Sequence, residues 1–259
     1  MKHIYRLLLL IPSCLGNFAY ATDYDATIEF PPPYELSLPV SGVIKTLKVT
    51  AGQRITKGDE ILALDSTPFR SAITYAQSRI TVQQTVLTES QRDFKQQQEL
   101  YDRTVLALVE LENAELRVKR DRAALDVAQA QLADAEYAFS YSKLVAPFDA
   151  LVLSVHANQG QSINNALQSK PLVLLARQGH YQARFLVSGD ELEKFKIDQP
   201  VTVKSMGKQY QGKITSINYQ PLAEDIGKDK RFMMAAEFIS QDATMPISHE
   251  ASVHIADVY

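Results

Sequence analysis

The chain has 259 residues, a formal net charge of −3 and a single cysteine. This length is enough for two or three small domains, each with its own core. The nearly balanced charge argues against a protein that binds nucleic acid or an anionic surface through bulk electrostatics. The five histidines are scattered along the chain and show no metal-ligand spacing. We therefore expect no metal ion and no cofactor.

The N-terminus has the features of an export signal over residues 1–21. Basic residues flank the short apolar run Leu7–Ile11, and Ala19-Tyr20-Ala21 places small residues before a cleavage site after Ala21. The run is far shorter than the ~20 residues that span a bilayer. One alternative stays open, since Ile11-Pro12-Ser13-Cys14 loosely resembles a lipoprotein processing site that would put a lipid on Cys14.

Two segments of different character follow this leader. Residues 22–34 are polar and end in three consecutive prolines, which predicts an extended lead-in. Apolar residues then alternate with polar ones through residues 35–66, with turn signals at Gly42, Gly52 and Gly58. Alternation broken by glycine turns predicts a set of short strands.

Residues 67–140 have the apolar spacing of a coiled coil. Large apolar residues recur every seven positions in two sets, the second out of register with the first. The sets are Ile73, Ile80, Leu87, Phe94 and Tyr101, and then Leu111, Val118, Leu125, Leu132 and Phe139.

A change of register would make the apolar stripe of one straight helix jump sideways. Two antiparallel helices joined near Asp102–Val105 remove this conflict, so we predict a helical hairpin, with an uninterrupted rod as the alternative. Thr67 is expected to cap the first helix. Asp102 is expected to take the left-handed conformation at the turn, which contains no glycine.

Residues 141–178 repeat the β pattern that precedes the helices. At a constant offset, Val152 corresponds to Ile44 and Gly160 corresponds to Gly52. Each half has too few strands to bury a face alone. The halves must therefore pack together, and the inserted helices must return to the point at which they left.

Residues 179–259 again have a β pattern, with about five predicted strands and a short helix near Asp190–Phe195. This number of short strands in sequence is typical of a small antiparallel barrel.

Two segments that flank the helices resemble the half-motifs of the lipoyl domain in bacterial periplasmic adaptors. These are the membrane fusion, or HlyD-like, proteins of efflux pumps and type I secretion. The residues of this lipoyl motif here are Gly42, Gly52, Gly58, Asp59, Pro147, Phe148, Asp149 and Gly160. The most specific segment is Leu144-Val145-Ala146-Pro147-Phe148-Asp149-Ala150, and the resemblance covers residues 35 to about 256.

The resemblance implies an α+β chain with three parts. A lipoyl-like (biotinyl-lipoyl-like) β-sandwich would comprise residues 35–66 and 141–178, interrupted by a long antiparallel coiled-coil hairpin over 67–140. A small antiparallel β-barrel domain would follow over 179–259. The implied function is that of a periplasmic adaptor subunit of an efflux or secretion system, peripheral to the inner membrane. It would form a homo-oligomeric ring and link an inner-membrane transporter toward an outer-membrane channel.

The predicted hairpin tip carries five consecutive apolar residues, Val105–Val109. Leu108 is expected to close the seam above Leu111, but nothing in a two-helix tip covers the others. Exposed apolar clusters often mark contact surfaces. We therefore predict partner docking at the tip, with these residues: Leu100, Asp102, Arg103, Val105, Leu106 and Val109. In the alternative, the helices splay and bury the apolar side chains between themselves.

Departures from the adaptor pattern leave a second function open. Resistance-pump adaptors often carry an Arg, a Leu and a Ser around the tip, and the matching positions here are Gln96, Leu100 and Ala107. Only Leu100 agrees. The short lead-in and the few residues after Ile255 predict that a membrane-proximal domain is absent or vestigial. The alternative is a stand-alone periplasmic scaffold of adaptor ancestry.

An enzymatic role has little support in the sequence. A lipoate or biotin carrier needs a lysine at an exposed β-turn between the two halves, whereas Lys143 lies at the exit of the helices. We find no nucleophile elbow and no phosphate-binding loop. We therefore expect a protein that is not an enzyme.

Overall fold

The computed structural model describes residues 21–105, 107–164, 170–222, 230–241, 245 and 247–256. They form two compact units. One contains the described residues up to Pro31 together with those from Gly179 onward, and the other spans Pro32–Gln178. The predicted leader, including Cys14, lies outside the described residues except for Ala21.

The described residues form fourteen strands and two long helices. In chain order these are β1 Ala21–Glu29, β2 Tyr34–Leu36, β3 Gly42–Leu47, β4 Arg54–Ile55, β5 Glu60–Leu64, α1 Thr67–Asp102, α2 Leu108–Ser140, β6 Lys143–Val145, β7 Ala150–Val155, β8 Ser162–Ile163, β9 Val173–Arg177, β10 His180–Ser188, β11 Pro200–Ser205, β12 Lys208–Pro221, β13 Arg231–Ile239 and β14 Glu250–Ala256. A short 3₁₀ helix, Gly189–Lys194, follows β10 where the sequence predicted a short helix.

The sheets of the second unit are built by exchange between the two halves of the repeat. One sheet has the order β2-β9-β7-β4 and the other has the order β6-β5-β3-β8. Each half thus supplies the two central strands of one sheet and the two outer strands of the other. Neither sheet is complete without both halves, which agrees with the inference from the repeat.

The core of this unit lies between the sheets. Side chains from both halves are at most 1% exposed there, and they include Ile44, Ile61, Leu62, Val152, Val173 and Leu175. Alternation in β9 directs Val173 and Leu175 to the same face. In β5, where Ile61 and Leu62 are adjacent and both buried, the pairing with β6 shifts register between Glu60 and Leu62. Ile44 and Val152, which correspond in the repeat, occupy equivalent places in β3 and β7.

The two helices contact each other along a seam of apolar residues. Ala76 and Leu87 of α1, and Ala114, Leu125 and Ala128 of α2, are buried. Tyr101, by contrast, is 37% exposed, so the predicted stripe ends one turn before the helix does. The chain leaves helical geometry after Asp102 and re-enters it at Leu108, which excludes an uninterrupted rod.

The other unit is a closed six-stranded barrel with the order β1-β10-β13-β12-β11-β14. The predicted lead-in is therefore wrong for β1, which pairs with β10 and with β14 and closes the barrel. Ala26 and Ile28 of β1 are buried in the barrel core. The predicted barrel of about five strands over residues 179–259 lacked this sixth strand, which lies far away in sequence.

Candidate functional site along the helical pair

The two helices, hereafter the helical pair, are joined to the sandwich at one end. The Leu64 backbone N–H, before α1, donates to the Ser142 carbonyl, after α2, at 2.8 Å. The buried Ser142 hydroxyl donates to the Phe139 carbonyl at 2.6 Å and closes the last turn of α2. The helices thus return to the point at which they left. We call this end, together with the sandwich to which it is joined, the base.

The start of α1 is held by Asp65 and not by the predicted cap, Thr67. Asp65 Oδ1 accepts hydrogen bonds from the Thr67 backbone N–H at 3.1 Å and from its hydroxyl at 2.8 Å. These bonds, the backbone one first, hold the pKa of the Asp65 carboxyl below its usual value, and nearby Lys45 acts in the same direction. Thr67 cannot be the cap because it is already the first helical residue.

The glycines Gly52 and Gly160 link the halves of the repeat at the base. The Gly52 N–H donates to the Val152 carbonyl, and the Gly160 N–H donates to the Ile44 carbonyl, each at 2.8 Å. Both glycines have positive φ, +84° and +83°. This conformation suits glycine and is unfavourable for residues with a Cβ. The two turns therefore have the same conformation, and each bonds to the corresponding strand of the other half.

Other motif residues hold neighbouring turns. The Gly58 N–H donates to the Ala146 carbonyl at 2.8 Å. Asp59 accepts from the Thr56 backbone N–H at 2.8 Å and from its hydroxyl, and these bonds, the backbone one first, lower the pKa of its carboxyl. Asp149 accepts from a backbone N–H of the first half, that of Lys57, at 2.8 Å.

The remaining motif residues line the surface and edges of the sandwich. The Phe148 ring lies 4.6 Å from the Tyr34 ring and 5.4 Å below the Arg177 guanidinium. Pro147, next to it, is exposed. A Cβ on Gly42 would lie 3.0 Å from a methyl of Leu64, so β3 and β5 approach closely there.

Polar contacts fix how the helical pair is aligned. The Arg117 guanidinium of α2 donates to the Asp93 carboxylate of α1 at 3.0 Å. Nearer the base, the Arg70 guanidinium lies 5.9 Å from the centre of the Phe139 ring. Higher residue numbers on α1 thus face lower numbers on α2, which means that the helices run antiparallel.

The far end of the pair, residues 103–109, is the tip. The Val105 N–H donates to the Leu100 carbonyl at 3.1 Å, and the Thr104 N–H donates to the Tyr101 carbonyl at 2.8 Å. Thr104, with φ of 57°, takes the left-handed conformation that was predicted for Asp102. Asp102 instead ends α1. The turn without glycine therefore places its strain on a threonine.

Apolar side chains at the tip face solvent. Val105 is 74% exposed and Val109 is 64% exposed, which excludes the alternative that the helices bury them between themselves. Leu108 is 52% exposed, so the prediction that it closes the seam is wrong. Asp102 and Arg103 are exposed, Leu100 is half-buried, and Leu106 lies outside the described residues.

The described residues contain no helix that is both long enough and apolar enough to cross a membrane. They also contain no group of three or more His, Cys, Asp or Glu side chains that could hold a metal ion. Lys143 lies in β6, and its ammonium is 3.8 Å from the Glu60 carboxylate.

Comparison with known protein families identifies the sandwich and the helical pair. The model of the CzcB-like barrel-sandwich hybrid domain matches residues 34–169, which is more than half of the chain. The matched segment contains the first half of the sandwich, the helical pair and the second half as far as β8, and it ends before β9.

Curated relatives match over part of their length. "Multidrug resistance protein MdtA" of Proteus mirabilis is 24% identical over 155 residues, which are 60% of this chain and 38% of that protein. "Uncharacterized protein YdhJ" of Escherichia coli K12 is 27% identical over 180 residues, 69% of this chain and 62% of that protein. The matches thus span less than two thirds of these relatives.

Solved structures share the fold. The membrane fusion protein Spr0693 of Streptococcus pneumoniae R6 has a TM-score of 0.69 at 14% identity, and the match covers 92% of this chain and all of that one. A MacA-MexA chimera with the α-hairpin domain of Pseudomonas aeruginosa MexA has a TM-score of 0.60 at 19% identity, covering 94% and 84%.

Proposed function

The chain belongs to the family of CzcB-like barrel-sandwich hybrid domains, and we propose that it is a periplasmic adaptor, or membrane fusion, subunit of an efflux system. In this role it links an inner-membrane transporter toward the outer membrane. The leader over residues 1–21 exports the chain, with cleavage after Ala21. Its curated relatives named as multidrug resistance proteins support efflux as the process that it serves.

One observation carries the proposal, namely an exposed apolar tip at the end of a long helical pair. α1 has 36 residues, which at about 1.5 Å per residue is a length of about 54 Å. Val105, Leu108 and Val109 are each more than half exposed at its far end. Apolar side chains held this far from a folded base are suited to contact with another protein.

The base supports the same function. The exchange of strands between the halves is that of a split lipoyl-like sandwich, and the helical pair is its inserted coiled-coil hairpin. The barrel and sandwich contact the transporter side, while the tip contacts an outer-membrane channel. Energy for transport comes from the transporter, and this chain supplies the connection.

Substitution at the tip tests the docking role. The variant Val105→Ser with Val109→Ser removes two exposed apolar side chains, so unfolding free energy should stay within about 0.5 kcal/mol of wild type. Cells that depend on this chain should become as sensitive to toxic compounds as cells that lack it. A panel of antibiotics, dyes, detergents and metal salts measures that sensitivity. Gln84→Ser, at an exposed position in the middle of α1, is the control and should keep wild-type resistance.

Two outcomes would oppose the proposal. If resistance survives the double substitution, the tip is not the docking surface. If cells that lack the whole chain are as resistant as wild type to every compound in the panel, the alternative of a stand-alone periplasmic scaffold is favoured.

A further inference from the structure

A cavity of about 650 Å³ lies at the end of the barrel where β1 begins and β14 ends. Thr22 and Ile255, which are paired across these two strands, line one side of it. The segment that follows the 3₁₀ helix, residues 195–199, lines another side. All described residues that line the cavity belong to the barrel unit. A volume of this size is typical of a site for a small ligand.

The inner part of the cavity is apolar. Phe195 and Ile255 line it although they are only 7% and 4% exposed, so their side chains lie at its deep end. The half-buried Tyr24 ring lies 5.8 Å from the Phe195 ring in an edge-to-face arrangement, and 5.7 Å from the Phe185 ring of the barrel core. Because these rings are packed against the core, they present a firm apolar surface to a ligand.

Charged side chains surround the entrance of the cavity. Two of them are acids, and each has its own cation: the Glu191 carboxylate is 3.8 Å from the Lys194 ammonium, and the Asp198 carboxylate is 2.6 Å from the Lys213 ammonium. The exposed Lys196 also lines the cavity, but no carboxylate of the described residues lies within 4.0 Å of its ammonium. The entrance therefore carries one cation that is not neutralised.

Hydrogen bonds hold the backbone that carries this lysine. The Lys196 N–H donates to Gln199 Oε1 at 3.0 Å, and the Gln199 N–H donates to the Lys196 carbonyl at 3.2 Å. The turn is also fixed to β12, since the Asp198 N–H donates to the Ile214 carbonyl and the Ile214 N–H donates to the Gln199 carbonyl. This side of the cavity is thus formed before any ligand binds, which lowers the cost of ordering the site.

An apolar interior with a single free cation at its entrance selects among classes of ligand. A ligand that is polar throughout gains nothing from the apolar surface, and a cationic ligand is repelled by Lys196. A carboxylate, by contrast, accepts a charge-assisted hydrogen bond from an ammonium. An apolar body attached to that carboxylate is removed from water by the interior of the cavity.

We infer that this cavity binds a monocarboxylate with an apolar body, with the carboxylate at Lys196 and the body against Phe195, Tyr24 and Ile255. The inference goes beyond the adaptor function, because it concerns the barrel unit alone and needs no transporter. Alkyl carboxylates derived from lipids and compact aromatic carboxylates share this chemistry.

The head group of the ligand is tested by calorimetric titration of the purified chain, expressed with its own leader so that it is processed as in the cell. Octanoate should bind more tightly than octanol, and octylammonium should bind most weakly. Lys196→Gln should weaken octanoate binding by about fivefold, which is the upper end for an ion pair in contact with water, and should leave octanol binding unchanged. Lys95→Gln, at an exposed position on α1, is the matched control and should change neither.

The apolar body is tested at constant head group. Butyrate should bind at least tenfold more weakly than octanoate, because it has fewer methylene groups to remove from water. Ile197→Ser removes a lining side chain that is 52% exposed, so it should spare the fold and weaken octanoate and octanol binding alike by about threefold. Naphthoate is titrated beside octanoate, and the tighter of the two identifies an aromatic or an alkyl source for the ligand.

The position of the ligand is tested by photolabelling. An alkyl carboxylate that carries a photoreactive diazirine on its chain should label residues 191–199 or residues 22–24, as located by mass spectrometry. Excess octanoate should prevent this labelling, and excess octylammonium should not.

Several results would overturn the inference. They are no binding of any of these carboxylates at millimolar concentration, tighter binding of octylammonium than of octanoate, equal octanoate binding by wild type and Lys196→Gln, and photolabelling confined to the tip. Each of these results leaves the adaptor function standing, because that function is tested by the sensitivity of cells to toxic compounds. Conversely, unchanged resistance in cells without the chain would refute the adaptor function and leave the cavity's ligand unaffected.

Discussion

At the base of the helical pair, backbone groups of the two halves bond to each other and the side chains around them are buried. The Gly52 and Gly160 bonds and the fully buried Val152 are examples. At the tip, Val105 and Val109 face solvent, and the turn is held by a few backbone bonds. The two helices thus connect a base whose backbone groups are hydrogen-bonded and whose core side chains are buried to a tip whose apolar side chains are exposed.

This difference separates the residues that stabilise the fold from the residues that are available to contact a partner. Base residues are costly to change because each one supports strands of the opposite half. Tip residues cost little to change, since their side chains contact few others. Substitutions should therefore divide into those that unfold the sandwich and those that leave it folded but without function.

The largest expected effect is in the sandwich core. Ile44→Ala should lower the unfolding free energy of this unit by about 2–5 kcal/mol, since it leaves a cavity between the sheets. The corresponding residue of the other half, Val152, should also be sensitive. Val109→Ala at the tip should change the free energy by less than about 0.5 kcal/mol. Urea unfolding followed by circular dichroism measures both, and equal losses at base and tip would contradict the comparison.

A smaller effect is expected at the two glycine turns. Gly52→Ala and Gly160→Ala should each cost about 1–2 kcal/mol, because an L-residue is forced into the left-handed conformation. No atom lies within 4 Å of the added Cβ at either site, so the cost is conformational and not steric. Gly52→Asn should cost less, since asparagine tolerates this conformation. Clearly unequal losses for the two alanine variants would show that the halves are not equivalent.

The smallest effect concerns pH and the start of α1. The pKa of the Asp65 carboxyl is lowered by its bonds from Thr67. A lowered pKa stabilises the fold above the unfolded value of about 3.9, and this contribution is lost as pH falls through the folded value. Asp65→Asn should therefore be less stable than wild type at pH 7, and the difference should shrink below about pH 3.9. Asp126→Asn, at an exposed position on α2, is the control. A difference that persists at low pH would contradict the account.

Local patterns in the sequence predicted the sandwich and the helices well. The repeat at a constant offset identified Gly52 with Gly160 and Ile44 with Val152, and the structure gives both pairs equivalent roles. Such signals lie within short segments, where the spacing of apolar residues and the turn-forming residues can be recognised directly. The seam residues Leu87 and Leu125 were found for the same reason.

The wrong predictions have two physical causes. Some elements pair with strands that are distant in sequence, and some turn conformations can be adopted by any of several neighbouring residues. β1 contains one large buried apolar residue, Ile28, and its pairing partners in β10 and β14 are over 150 residues away. The left-handed turn residue is Thr104 rather than Asp102 because α1 includes Asp102, the first residue of the predicted joint.

The central claim, that the tip contacts a protein of the outer membrane while the barrel does not, can be tested in living cells. A photoreactive amino acid in place of Val105 should give, on illumination, an adduct with a protein of the outer membrane. The same amino acid at Ile239, which is 64% exposed on the barrel, should not give that adduct. Adducts at Val105 that contain only this chain, or the same outer-membrane adduct at both positions, would contradict the claim.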